Sequence, residues 1–140
     1  MNRAASPAYL LHQVVKAAAP AGRAVLITGC FDPFHVGHLY HFQEARKMGD
    51  PLVIAVLKDG YVNKGKNRPM FKDVERAKVV QALAIVDEVL IVESCVEALA
   101  SIKPRYWCLG YEYRLRINED DKMYCRANGI EIIFTNEQTY

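Results

Sequence analysis

Five short apolar runs rich in β-branched residues alternate with segments of helical spacing, and this alternation constrains the fold more than any other feature. The runs are Ala24–Cys30, Leu52–Leu57, Glu88–Val92, Tyr106–Leu109 and Ile130–Phe134. The helical segments are Gly37–Met48, Asp73–Ile85, Val96–Ile102 and Glu119–Asn128. Gly49 and Gly129 stand where helix C-caps are expected. Near-continuous apolar strands separated by helices predict a parallel sheet covered on both faces. Right-handed crossovers then give an open doubly wound sheet, with its ligand at the carboxyl ends of the strands.

The expected fold is therefore α/β, a single-domain, Rossmann-like sheet of about five strands spanning residues 24–140. The chain has 140 residues, enough for one core, and 51% of them are hydrophobic, which excludes a disordered chain. A leading helix is expected within residues 1–23. Ser6 caps it, Pro7 opens it, Leu10, Leu11, Val14 and Val15 form its apolar face, and Pro20, Ala21 and Gly22 end it. The net charge of +2 comes from 18 basic and 16 acidic residues, too even for a general nucleic-acid binder. No run approaches the ~20 apolar residues of a membrane span. Cys30, Cys95, Cys108 and Cys125 form no Cys-x-x-Cys pair, so reduced thiols and a cytoplasmic location are expected.

The first strand runs into Gly29-Cys30-Phe31-Asp32-Pro33-Phe34-His35-Val36-Gly37-His38, where a helix begins. A helix start holds anions through its unpaired N–H groups and its partial positive charge. His35 and His38 add two donors that can meet charge building on phosphate oxygens, and Gly37 lets a ligand approach the backbone. Lys58-Asp59-Gly60-Tyr61-Val62-Asn63-Lys64-Gly65-Lys66-Asn67-Arg68-Pro69 follows the second strand and opens onto the same edge. Its cations can reach phosphates, and Arg76 in the next helix can reach the same pocket. Gly110, Tyr111 and Glu112 follow the fourth strand, where they could hold a base or ribose. His41 is expected to be structural. No P-loop and no metal-ligand cluster stands out.

At these residues the chain resembles the cytidylyltransferase-like nucleotidylyltransferases. Their signature, Gly-x-Phe-Asp-x-x-His-x-Gly-His, is complete here as Gly29, Phe31, Asp32, His35, Gly37 and His38. The similarity continues through Ala45–Asp50, the basic loop, Arg68-Pro69, Glu75-Arg76 and Val86-Asp87. Within the group the chain is similar to the heptose-phosphate adenylyltransferase and glycerol-3-phosphate cytidylyltransferase types. It departs from the heptose type after the fourth strand, with Leu109 and Glu112 in place of Lys and Asp. The group also places a Ser/Thr-rich segment and a helix after the last strand. Here the sequence reads Thr135-Asn136-Glu137-Gln138-Thr139-Tyr140, so weak triphosphate binding is expected of these 140 residues.

The resemblance implies nucleotidyl transfer from ATP or CTP to a sugar or polyol phosphate, with magnesium carried by the triphosphate and no protein metal site. It assigns His35, His38, Lys64 and Lys66 to catalysis. It assigns Gly29, Cys30, Phe31, Asp32, Gly37, Arg76, Gly110, Tyr111 and Glu112 to the nucleotide, and Asp59, Lys64 and Arg68 to the acceptor. It also implies a homodimer. Two rivals are a non-catalytic nucleotide-binding module of the same fold and a fragment of a class I aminoacyl-tRNA synthetase. The second is disfavoured because no Lys-Met-Ser-Lys-Ser-like loop is found.

Overall fold

The computed structural model describes residues 22–136, so the expected leading helix lies outside the described residues. Five strands form one parallel sheet: β1 (Val25–Gly29), β2 (Leu52–Leu57), β3 (Glu88–Val92), β4 (Tyr106–Leu109) and β5 (Glu131–Phe134). Four helices connect them: α1 (Val36–Arg46), α2 (Asp73–Gln81), α3 (Cys95–Ile102) and α4 (Glu119–Ala127). The spatial order is β3-β2-β1-β4-β5, so the order reverses between β1 and β4. Adjacent crossovers leave the sheet in opposite directions there, which opens a crevice at the carboxyl ends.

Period-two alternation sends successive residues of each strand to opposite faces. Val25 and Ile27 pack with Phe42 and Ala45 of α1 and Ala77 and Val80 of α2. Leu26 and Trp107 pack on the other face with Ala98, Leu99 and Ile102 of α3 and Cys125 of α4. Both faces are covered, which accounts for the unbroken apolar strands.

Helix ends differ modestly from the sequence reading. The second helix stops at Gln81 rather than Ile85, because tight turns replace it: Leu83 N–H donates to Val80 O and Val86 N–H to Leu83 O. Gly129 lies just past the C-cap Asn128 at φ +69°, a conformation that favours glycine. Asp87 fastens the start of β2 by accepting from Leu52 N–H at 2.7 Å and from Arg46. Among the described residues, no helix is long and apolar enough to cross a membrane.

Candidate functional site

A cleft of about 840 Å³ lies at the carboxyl edge of the sheet, between the ends of β1 and β4. Its floor is the turn from β1 into α1. His35 is the N-cap of α1, with extended backbone. Its Nδ1 accepts the Gly37 N–H at 3.1 Å, while the His35 N–H donates to His38 Nδ1, also at 3.1 Å. Two histidines thus do what Ser and Glu do in a capping box. The rings stack with centroids 3.8 Å apart. Because each Nδ1 accepts a backbone N–H, the neutral ring carries its proton on Nε2. Both histidines line the cleft. Burial, with the nearby charges of His35, His41 and Lys64, lowers His38 to about 4. At neutral pH His38 is therefore an uncharged N–H donor.

Aromatic packing fixes the His38 ring. Phe31 meets it edge-on at 5.1 Å and Phe34 lies against it at 5.4 Å. Phe31 adopts φ +53°, a strained backbone for a bulky residue, and such strain clusters at functional turns. The ring of Phe31 folds back over Gly29, where a Cβ would meet Phe31 Cζ at 2.8 Å. Only glycine fits there, so Gly29 serves the turn's shape.

Of the residues expected at the site, the structure brings together His35, Gly37, His38, Lys64, Gly29, Cys30, Phe31, Gly110, Tyr111 and Glu112. The Glu112 carboxylate lies over Gly110, where a Cβ would collide with it. Burial raises the Cys30 thiol, which keeps it protonated.

The other five expected residues do not line the cleft, and each has a physical reason. Arg76 is 2% exposed and spends its guanidinium on the protein. It donates to Phe71 O and Cys30 O at 2.8 Å each and to Asp59 Oδ1 at 2.7 Å. Asp59 also accepts the Asp73 N–H at 2.8 Å, so it fastens the start of α2 rather than facing an acceptor. Asp32 is buried and accepts from Met70 N–H at 2.7 Å, Phe71 N–H at 2.9 Å and Arg68 Nε at 2.9 Å. Although burial alone would raise the Asp32 carboxyl, these hydrogen bonds hold it below the usual range. Arg68 is thereby engaged with Asp32, donating also to its carbonyl. Lys66 is exposed on the loop, away from the cleft that Lys64 reaches.

The cleft also contains residues that the sequence reading missed. His41 lines it, and its Nδ1 lies 2.9 Å from Thr135 Oγ1, tying α1 to the end of β5. Burial lowers His41 to about 4 against the opposing influence of Glu112 and a hydrogen bond to the Cys108 backbone. Arg114 and Arg116 also line the cleft, with guanidinium groups 4.0 Å and 4.9 Å from the ring centroids of Tyr111 and Tyr113. Alternating Tyr and Arg after a strand was the available signal for them. The Trp107 Nε1–H donates to Thr28 Oγ1 at 3.2 Å, across β4 and β1, and Asp121 lies in the same cleft. Nothing in the local sequence marks Thr28, Trp107 or Asp121, because only the register of β1 with β4 and the placement of α4 bring them together.

The class defined here is an all-parallel α/β domain with a histidine-capped helix at its topological switch point. The family follows from the sequence: residues 26–137 match the cytidylyltransferase-like family, and the chain belongs to it. It is a nucleotidyltransferase-family domain. It is 32% identical over 117 residues to the bifunctional protein HldE of Magnetococcus marinus, covering 81% of this chain but 24% of that protein. The chain thus spans about a quarter of that relative's length. It is 32% identical over 110 residues to an FAD synthase of Aciduliprofundum boonei, covering 77% of this chain and 73% of that protein. Its fold is similar to that of a lipopolysaccharide core biosynthesis protein from Thermoplasma volcanium. The TM-score is 0.72 at 24% identity, with 84% of this chain and 98% of that one covered.

Proposed function

We propose that this chain transfers a nucleotidyl group from ATP or CTP to a sugar or polyol phosphate, releasing pyrophosphate. The observation that carries the reading is the reciprocal histidine cap. It consumes both Nδ1 atoms on backbone N–H groups, so the neutral tautomer of each imidazole carries its proton on Nε2, and both residues line the cleft. Simple nucleotide binding does not require two such donors side by side.

An acceptor phosphate oxygen attacks the α-phosphorus, a new P–O bond forms, and the bond to the β-phosphate oxygen breaks as pyrophosphate leaves. The attacking phosphate is already anionic, so no general base is needed. Catalysis rests on in-line placement and on donors aimed at the developing charge. His35 and His38 supply those donors at the α-phosphoryl group and the bridging oxygen. Lys64 holds phosphate from the loop, and Arg114 and Arg116 add positive charge along the same wall. Tyr111 and Glu112 flank the base or ribose. Magnesium enters with the triphosphate as part of the substrate.

The test is pyrophosphate release, screened over four nucleoside triphosphates against a panel of sugar and polyol phosphates. Release that depends on one triphosphate together with one class of acceptor supports the reading. Tight triphosphate binding with no release for any acceptor favours the non-catalytic module instead.

A further inference from the structure

Arg68 stands outside the cleft, yet its bonds decide where one of the cleft's cations can stand. Its partner Asp32 lies in the turn from β1 into α1, just before His35, and the Asp32 side chain is fully buried. That carboxylate accepts from Arg68 Nε at 2.9 Å, from Met70 N–H at 2.7 Å and from Phe71 N–H at 2.9 Å. A second guanidinium nitrogen of Arg68 donates to the Asp32 carbonyl. A planar fork that takes both the carboxylate and the carbonyl of one residue fixes orientation as well as distance.

The other end of the same loop is fastened too. Asp59 accepts from Arg76 Nη2 at 2.7 Å and from Asp73 N–H at 2.8 Å, and Arg76 Nη1 donates to Cys30 O at 2.8 Å. Both ends are thus tied to the Cys30–Asp32 stretch, which leads directly into His35 and His38.

Between these anchors Gly60–Asn67 form a strap. It bends at Gly65 (φ +101°) and Asn67 (φ +64°), where the left-handed region favours glycine and asparagine. Lys64 lies between the anchors and lines the cleft with His35 and His38, whereas Arg68 does not reach it. Among the described residues no carboxylate pairs with Lys64. Its ammonium group is therefore placed by the path of the strap, and that path is set by the anchors. For Arg68 to meet a phosphate itself, it would have to leave a fully buried carboxylate without its cation, which is costly.

We propose that Arg68, through its fork on Asp32, is a positioning residue that holds the strap so that Lys64 meets the triphosphate beside the two histidines. Arg68 acts on the ligand only through Lys64. The inference rests on the transferase reading above.

The experiment is a double-mutant cycle on the full chain. It is read by calorimetric titration with ATP and with CTP, each with magnesium, at a temperature where circular dichroism shows every variant folded. Lys64→Ala is expected to weaken the triphosphate that binds by roughly ten- to a hundred-fold, the range for losing a bond to a charged group. Arg68→Ala is expected to weaken it by roughly five-fold or more. In the Lys64→Ala background, Arg68→Ala should add less than about two-fold, because no ammonium group is left to place. Arg68→Lys keeps the charge without the fork, so its affinity should fall between those of Arg68→Ala and wild type. Should Arg68→Ala not fold, the same cycle is run with Arg68→Lys. Fully additive losses in the double variant would show that Arg68 reaches the ligand independently of Lys64 and overturn the proposal. A lower melting temperature with unchanged triphosphate affinity in the Arg68 variant would show a stabilising role only, and would overturn it as well. Unchanged affinity in Lys64→Ala would do the same. A wild type that binds neither ATP nor CTP overturns the transferase reading itself, and the proposal with it.

Discussion

Arg76→Ala separates a residue that binds nucleotide from one that builds the site. The guanidinium is 2% exposed and makes three hydrogen bonds at 2.7–2.8 Å. Its removal orphans the carbonyls of Cys30 and Phe71 and leaves Asp59 with its other bonds only. Breaking a buried ion pair by deleting one partner costs about 3–5 kcal/mol. Asp59 is 41% exposed at its side chain and can turn to water, which puts the cost near the lower limit, about 3 kcal/mol. For a domain of this size, about 3–4 °C is lost per kcal/mol, so the melting temperature should fall by about 10 °C. Circular dichroism on heating and a urea titration read this directly. Saturating nucleotide at low temperature should still bind the folded variant. A melting temperature within about 2 °C of wild type, together with a ten-fold weaker nucleotide, would return Arg76 to the binding site and refute the packing argument.

Lys64→Ala should weaken triphosphate binding more than Lys66→Ala, because only Lys64 lines the cleft; calorimetry on both variants checks the order, and equal losses would contradict it. His38 and His41 are both lowered to about 4, below the ordinary value near 6.5. Between those two values the unfolded chain binds more protons than the folded one, so their contribution to stability falls as pH drops from 6.5 towards 4 and is flat above 6.5. Replacing both by Asn should flatten that part of the stability–pH curve in urea titrations, and an unchanged slope would show that other groups cause it.

The sheet was legible because its strands are buried on both faces and read as continuous apolar runs, while Gly49 and Gly129 punctuate the helices. The histidine turn was legible for the same local reason: a strand end, a helix start and two imidazoles lie within ten residues of one another. What was not legible depends on distance along the chain. Arg76 and Asp59 look like free charges in sequence and meet only because α2 folds back on the end of β1. Asp32 looks like a ligand-facing acid, yet Met70 and Phe71 bring their N–H groups to it from a loop nearly forty residues away. Trp107 reached Thr28 through the pairing of β1 with β4, a neighbour relation that no local pattern carries.

The central claim is that two histidines, each held by a backbone N–H, stabilise charge on a phosphoryl group in flight. The most direct measurement is pyrophosphate release by wild type, His35→Ala and His38→Ala, with triphosphate affinity measured in parallel. Losing one donor of this kind costs roughly a hundred- to a thousand-fold in turnover. The account predicts that loss in both variants, with each still folded and still holding triphosphate. Turnover within a few-fold of wild type in both folded variants would contradict it.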